Sequence, residues 1–218
     1  MKTVAQAIEQ FVASSPFLEE GLSRGLINCS ALAREMQPRL QETLLKDVSE
    51  SAILMAIKRL SLTIQGRGSI RDAVLRKMGD LTVRSSLSEY TFLKSDTIME
   101  KQKLLLQALD ERSDQFVTFT RGVFEITIIV SSSLADSVEA IFNAEKRISR
   151  LHDLSAIIIK LPEQTVSTPG VHYTILKQLA WNNINVVEVV STYTEFTVIL
   201  HKNQVDFAFS VLMELLSS

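Results

Sequence analysis

The sequence predicts an α+β protein, with a helical bundle over residues 1–77 followed by two related α+β units at 78–150 and 151–218. Three observations carry this. Up to about Leu62 the apolar residues recur at helical spacing and nothing alternates at the strand period. From Leu81 onward, short β-rich runs alternate with helical runs. This second region also matches itself at an offset of 70 residues, the mark of an internal duplication. With 218 residues, 46% of them hydrophobic and 22% charged, the chain has enough apolar material for packed cores and length for two or three small domains.

The elements follow in order. Val4, Ile8 and Phe11 form a first helical stripe. Ser15-Pro16 stops that helix and opens the next, whose face carries Phe17, Leu18, Leu22 and Leu26. A third helix opens at Asn28 or Ser30 and carries Leu32, Met36 and Leu40, and Ser49 caps a fourth over Glu50 to Leu62. In that helix Ile53, Ile57 and Leu60 point inward while Lys58 and Arg59 face water. Gln65-Gly66-Arg67-Gly68-Ser69 reads as a linker, with Ile70 to Met78 as a short connecting helix. Strands are then expected at 81–93, 115–120 and 124–130 with helices at 96–112 and 134–146. The same order recurs with strands at 155–161, 184–191 and 195–200 and helices at 169–182 and 204–216. At the 70-residue offset Glu125, Thr127 and Asp136 fall on Glu195, Thr197 and Asp206, and Ile126, Ile128 and Val130 fall on Phe196, Val198 and Leu200. Each unit is expected to be ferredoxin-like, βαββαβ, with two helices on one face of a small antiparallel sheet. A four-stranded sheet with one bare face is marginal alone, so a homo-oligomer, at least a dimer, is expected.

Composition removes several functional classes. One cysteine, Cys29, excludes an internal disulfide framework, and no Cys/His cluster has metal-ligand spacing, so no metal or cofactor is expected. Apolar stretches are far short of the roughly 20 residues that cross a bilayer, and no signal peptide is evident. The expectation is a cytoplasmic protein with no membrane partner. His152, His172 and His201 have no nucleophile motif around them, and no acid–base pair stands out, so no catalytic residue is assigned and the chain is not read as an enzyme. Residues 1–77 hold 11 Lys/Arg and 8 Asp/Glu, whereas 78–218 hold 12 and 17, which suggests different partners for the two regions.

The most informative stretch is Thr168-Pro169-Gly170-Val171-His172. Thr168 can cap a helix, Pro169 suits its first position, and Gly170 leaves the first free amides unshielded, an arrangement that favours anions such as an amino-acid carboxylate. At the far end of that helix Asn182-Asn183-Ile184-Asn185 runs into the next strand. Asn183 suits the left-handed conformation that ends helices, and Asn185 brings an amide that both donates and accepts.

Taken together, a strand, Thr-Pro-Gly-Val, a helix, Asn-Ile-Asn-Val, a strand, Ser-Thr-x-x-Glu and a further strand resemble the ACT domain, particularly the regulatory region of aspartate kinases. The resemblance covers residues 155–218 and extends through the repeat to about 81–150, as a tandem pair. It implies that a small amino acid binds at an interface between ACT units, through Gly170, Val171, His172, Ile184 and Asn185. Two positions depart from the family pattern: Asn183 stands where a glycine is usual, and the first repeat has Met99-Glu100 in place of Pro169-Gly170. The kinase domain, with its Lys-Phe-Gly-Gly-Thr-Ser type loop, has no counterpart, so the resemblance implies regulation without phosphoryl transfer.

A second likeness concerns the bundle. Gly25 to Ala33 followed by Val48-Ser49-Glu50-Ser51-Ala52-Ile53 is similar to the rhythm of helix-turn-helix regulators. It implies DNA contact by Ser49, Ser51, Lys58 and Arg59 of the capped helix. The sequence thus supports a non-catalytic regulator of amino-acid metabolism that passes an amino-acid signal to a helical effector domain, with a transcriptional output. The alternative is a detached regulatory subunit that controls a biosynthetic enzyme such as aspartate kinase by protein contact, without DNA.

Overall fold

The computed structural model describes residues 2–109 and 114–217. The chain divides into two compact units, residues 1–74 and 75–218. In the first, α1 (Val4–Ala13), α2 (Pro16–Ser23), α3 (Cys29–Leu44) and the first part of α4 (Glu50–Leu75) enclose a core of Ile8, Val12, Leu22, Met36, Leu40, Ile53 and Ile57. Their starts are set locally. The Thr3 side chain and Gln6 form a reciprocal capping box on α1. Asn28 accepts from the Ser30 and Ala31 amides at 3.0 and 3.1 Å, and Ser49 Oγ accepts from the Ala52 amide at 3.3 Å.

One expectation fails here. The stretch 65–69, read as a linker before a separate short helix, lies inside one continuous 26-residue helix, α4. A glycine costs only about 1 kcal/mol in a helix interior, and the buried Ile64 on one side and Val74 and Leu75 on the other anchor the turns that flank it.

The second unit is built on β1 (Leu81–Leu93), α5 (Ile98–Gln107), β2 (Val117–Arg121), β3 (Glu125–Ser131), α6 (Ala135–Ile141), β4 (Arg147–Lys160), α7 (Val171–Trp181), β5 (Glu188–Ser191), β6 (Glu195–His201) and α8 (Val205–Ser217). The expected helix over 96–112 ends at Gln107, and residues 110–112 lie outside the described residues. The strands form a single antiparallel sheet in the order β2-β3-β1-β4-β6-β5. The 70-residue repeat is visible in it: β3, the 3-10 turn at 132–134 and the start of α6 map onto β6, the turn at 202–204 and the start of α8.

Each repeat contributes βαββα, and the fourth strand of each half comes from the other half. The first part of β4, Arg147 to Leu154, pairs with Phe92 to Leu87 of β1, and the first part of β1, Leu81 to Arg84, pairs with Ile159 to Ala156 of β4. The start of β4 was therefore missed by eight residues, because Arg147-Ile148-Ser149-Arg150-Leu151-His152-Asp153 carries too few apolar side chains to read as a strand before its partner is known.

The two long strands cross over by matching irregularities. Leu87 pairs with Ser131 and Leu154 with His201, so Leu87 and Leu154 are equivalent in the two repeats, and they also pair with each other. The residue before each is left-handed, Ser86 at φ 58° and Asp153 at φ 55°, where the register slips by one residue. Ser86 is exposed and packs little, so its backbone decides its substitutions. We expect Ser86→Val to cost about 1–2 kcal/mol and Ser86→Gly to be neutral or mildly stabilising, read as shifts in urea midpoint.

Tyr90, Phe92, Ile126, Ile128 and Val130 turn to one face and pack with Ile98 and Leu105 of α5 and Val138 of α6. Leu87, Ile129, Leu154, Ala156 and Ile199 form a separate cluster on the other face. Among the described residues no helix is long and apolar enough to cross a membrane.

Candidate functional site

Residues 161–170 approach α7 as a ten-residue loop. The Leu161 amide donates to Thr194 O at 2.7 Å, and a 3-10 turn spans Glu163–Ser167. Here the expected cap is corrected: Thr168 Oγ1 donates back to Gln164 O at 2.8 Å, and α7 starts after Pro169, with Gly170 as its N-cap. Gly170 has φ 88°, which a side chain would strain, and no side chain caps the terminus. The Gly170 carbonyl accepts from both the amide and the hydroxyl of Thr174. Val171 is buried, and the His172 ring lies 4.9 Å from that of Phe196. The positive end of an 11-residue helix is thus presented behind a residue without a side chain.

At the other end Asn182 Nδ2 donates to Gln178 O, Asn183 is left-handed at φ 56°, and the Ile184 amide donates to Leu179 O. Ile184 is buried and Asn185 exposed. Eleven residues of helix span about 16 Å, so Gly170, Val171 and His172 form one half-site and Ile184 and Asn185 another, at opposite ends of α7. Within one chain they do not meet.

The first repeat differs at the corresponding place. Its loop before α5 is four residues, 94–97, and the hydroxyls of Ser95 and Thr97 both donate to the Glu145 carboxylate at 2.6 Å. An internal anion therefore sits beside the start of α5, where the second repeat leaves the start of α7 open. The partners are about 50 residues apart in the chain, so no local pattern announces them.

In the helical unit Lys58 and Arg59 are exposed on α4 with Ser51, and Ser49 caps the helix. The same outer face shows Met55 at 51% and Leu62 at 69% exposure, so it is mixed basic and apolar. Among the described residues no group of three or more His, Cys, Asp or Glu converges. Sequence reading did not single out Glu145, whose hydroxyl partners lie on the other side of the first repeat.

No family model matches the chain, and no curated protein sequence matches it. Solved structures do. The regulatory subunit of aspartate kinase from Thermus thermophilus, in ligand-free form, matches with a TM-score of 0.51 at 16% identity, over 63% of this chain and 97% of that one. A structure of aspartokinase alpha and beta subunits gives a TM-score of 0.54 at 12% identity, over 65% and 99%. The matched part of the chain shares the backbone fold of these aspartate kinase regulatory structures. Aspartate kinase from Synechocystis matches with a TM-score of 0.54 at 12% identity, over 64% of this chain but 27% of its own length. At these identities the likeness is one of backbone fold, of ACT type. Its extent exceeds the helical unit and suits the sheet-bearing one.

Proposed function

We propose that this protein is a non-catalytic regulator of amino-acid metabolism, whose ACT-type repeats bind a small amino acid and whose helical unit carries the output. The observation behind this reading is the open start of α7. Gly170 leaves the helix amides approachable to a carboxylate, whereas the equivalent place in the first repeat is taken by Glu145. One site per chain follows. Because its halves lie at opposite ends of α7, a ligand that touches both needs an interface between two copies, with Gly170, Val171 and His172 from one and Ile184 and Asn185 from the other. The effector changes the packing of the two copies and so biases the helical unit.

The test is a thermal-shift series against the twenty amino acids on the full chain. One ligand is expected to raise the midpoint by mass action. Asn185→Ala should abolish that rise with little change in basal stability, since Asn185 is exposed and its amide contributes about 1–3 kcal/mol only as a partner to a charged ligand. It is a cleaner probe than Gly170, whose backbone disfavours any side chain. No response to any amino acid, or an unchanged response in the variant, overturns the assignment. Sedimentation showing a monomer at tens of micromolar overturns the shared site.

For the output, Ser49, Ser51, Lys58 and Arg59 are assigned to DNA contact on the outer face of α4. Lys58→Ala with Arg59→Ala should then weaken DNA binding and lower its salt dependence by about one unit per lost phosphate contact. Met55 and Leu62 on the same face support a second reading, docking onto an enzyme partner. In that case the full chain shows no salt-sensitive DNA binding.

A further inference from the structure

A pocket of about 420 Å³ lies in the second unit between the start of β1 and α8, lined by Gly79, Asp80 and Leu81 on one side and by Phe209, Met213 and Leu216 on the other. It uses neither end of α7. Strand pairing shows what stands at the same place in the first repeat. Leu81 pairs with Ile159, which pairs with Phe196, while Arg147 pairs with Phe92, which pairs with Ile126. Phe196 and Ile126 are one repeat apart, so Leu81 and Arg147 are equivalent. On the helix side, Phe209 falls on Glu139 at the 70-residue offset.

In the first repeat Arg147 and Glu139 form an ion pair at 2.7 Å, and Arg150 adds a contact to the same carboxylate at 2.9 Å. The second repeat sets two apolar side chains, Leu81 and Phe209, at the positions of that pair. α8 also runs on to Ser217 where α6 stops at Ile141, and its added turns supply Met213 and Leu216. One half of the chain thus closes this place with charge, and the other leaves it open and apolar.

Asp80 is the charged residue of the lining, and its side chain makes no ion pair or hydrogen bond with the described residues. Lys160, across the strand pair, meets Gly79 and Asp80 through its backbone: its carbonyl accepts from the Gly79 amide at 2.9 Å and its amide donates to Asp80 O at 3.4 Å. Its stem lies along Gly79, where a Cβ would come within 3.1 Å of Lys160 Cβ.

We propose that this pocket binds a primary amine with an apolar body, the ammonium on Asp80 and the body against Leu81, Phe209, Met213 and Leu216. Apolar walls with one placed charge suit such a ligand, and the ammonium brings Asp80 the partner that Arg147 has in Glu139. An amine without a carboxylate has no group for the amides of α7, so the inference stands apart from the effector reading and fails or holds without it.

Hexylamine is the probe, titrated into the full chain by ligand-observed NMR, with hexanoate as the control for the sign of the charge. Hexylamine should bind and hexanoate should not. Asp80→Asn, a change at an exposed side chain, should weaken hexylamine about tenfold through the loss of one charge-assisted contact. Leu81→Arg combined with Phe209→Glu should abolish binding by installing the ion pair of the first repeat, and if that variant does not fold, Asp80→Asn decides. No binding of hexylamine, equal or better binding of hexanoate, which Lys160 would then hold, or an unchanged affinity in Asp80→Asn overturns the assignment.

Discussion

Leu154→Ala should destabilise the sheet-bearing unit by about 3–4 kcal/mol, toward the upper range for buried leucines. Leu154 has no exposed surface, pairs with Leu87 at the junction of the two repeats and with His201 on β6, and packs with Ile129, Ala156 and Ile199. Sheet strands on either side restrict relaxation, so the cavity left by the side chain persists and adds to the lost transfer energy. The consequence extends beyond one repeat, because β4 is a strand of both halves. In urea, Trp181 fluorescence from the second repeat and hydrogen-exchange protection of β3 in the first should be lost at one common, lowered midpoint. Protection of β3 that outlasts the Trp181 transition would show that the halves fold separately, and would defeat the interlocked reading of β1 and β4.

The stability of this unit should also depend on pH through Glu89. Its carboxyl, buried in β1, is held at about 7 in the folded chain against an ordinary 4.5. The folded state therefore favours the proton, and the stabilisation is fully present below pH 4.5 and is lost as pH rises through 7. The full difference corresponds to at most about 3 kcal/mol, and residual solvent access to the carboxyl reduces it. Glu89→Gln should then raise stability by about 1–2 kcal/mol at pH 8 and leave it nearly unchanged at pH 4.5, measured by urea unfolding at both values. An equal gain at both pH values would attribute the effect to packing rather than to charge.

By itself the sequence determined what depends on short-range chemistry. Asn28 and Ser49 mark helix starts because their side chains accept backbone amides two or three residues on, and Asn183 marks a helix end because it tolerates the left-handed turn found there. The 70-residue repeat was legible because burial on the helix-facing side keeps apolar side chains at matching positions, as in Ile126, Ile128 and Val130 against Phe196, Val198 and Leu200. A helix start near Pro169-Gly170 was legible for the same local reasons, although the cap is Gly170 and not Thr168.

What remained hidden depends on partners distant in the chain. The polar first half of β4 is a strand because β1 supplies its hydrogen bonds, and the left-handed Ser86 and Asp153 break the alternation that would have revealed the crossover. The glycines of α4 stay helical because buried residues on both sides outweigh their modest local cost. Glu145 reaches Ser95 and Thr97, and Glu89 is buried, only once the sheet has formed. Local chemistry places turns and caps, but strand pairing is collective, and it decided which helix start stays open and that the Glu89 carboxyl is buried without a partner for its Oε2 among the described residues.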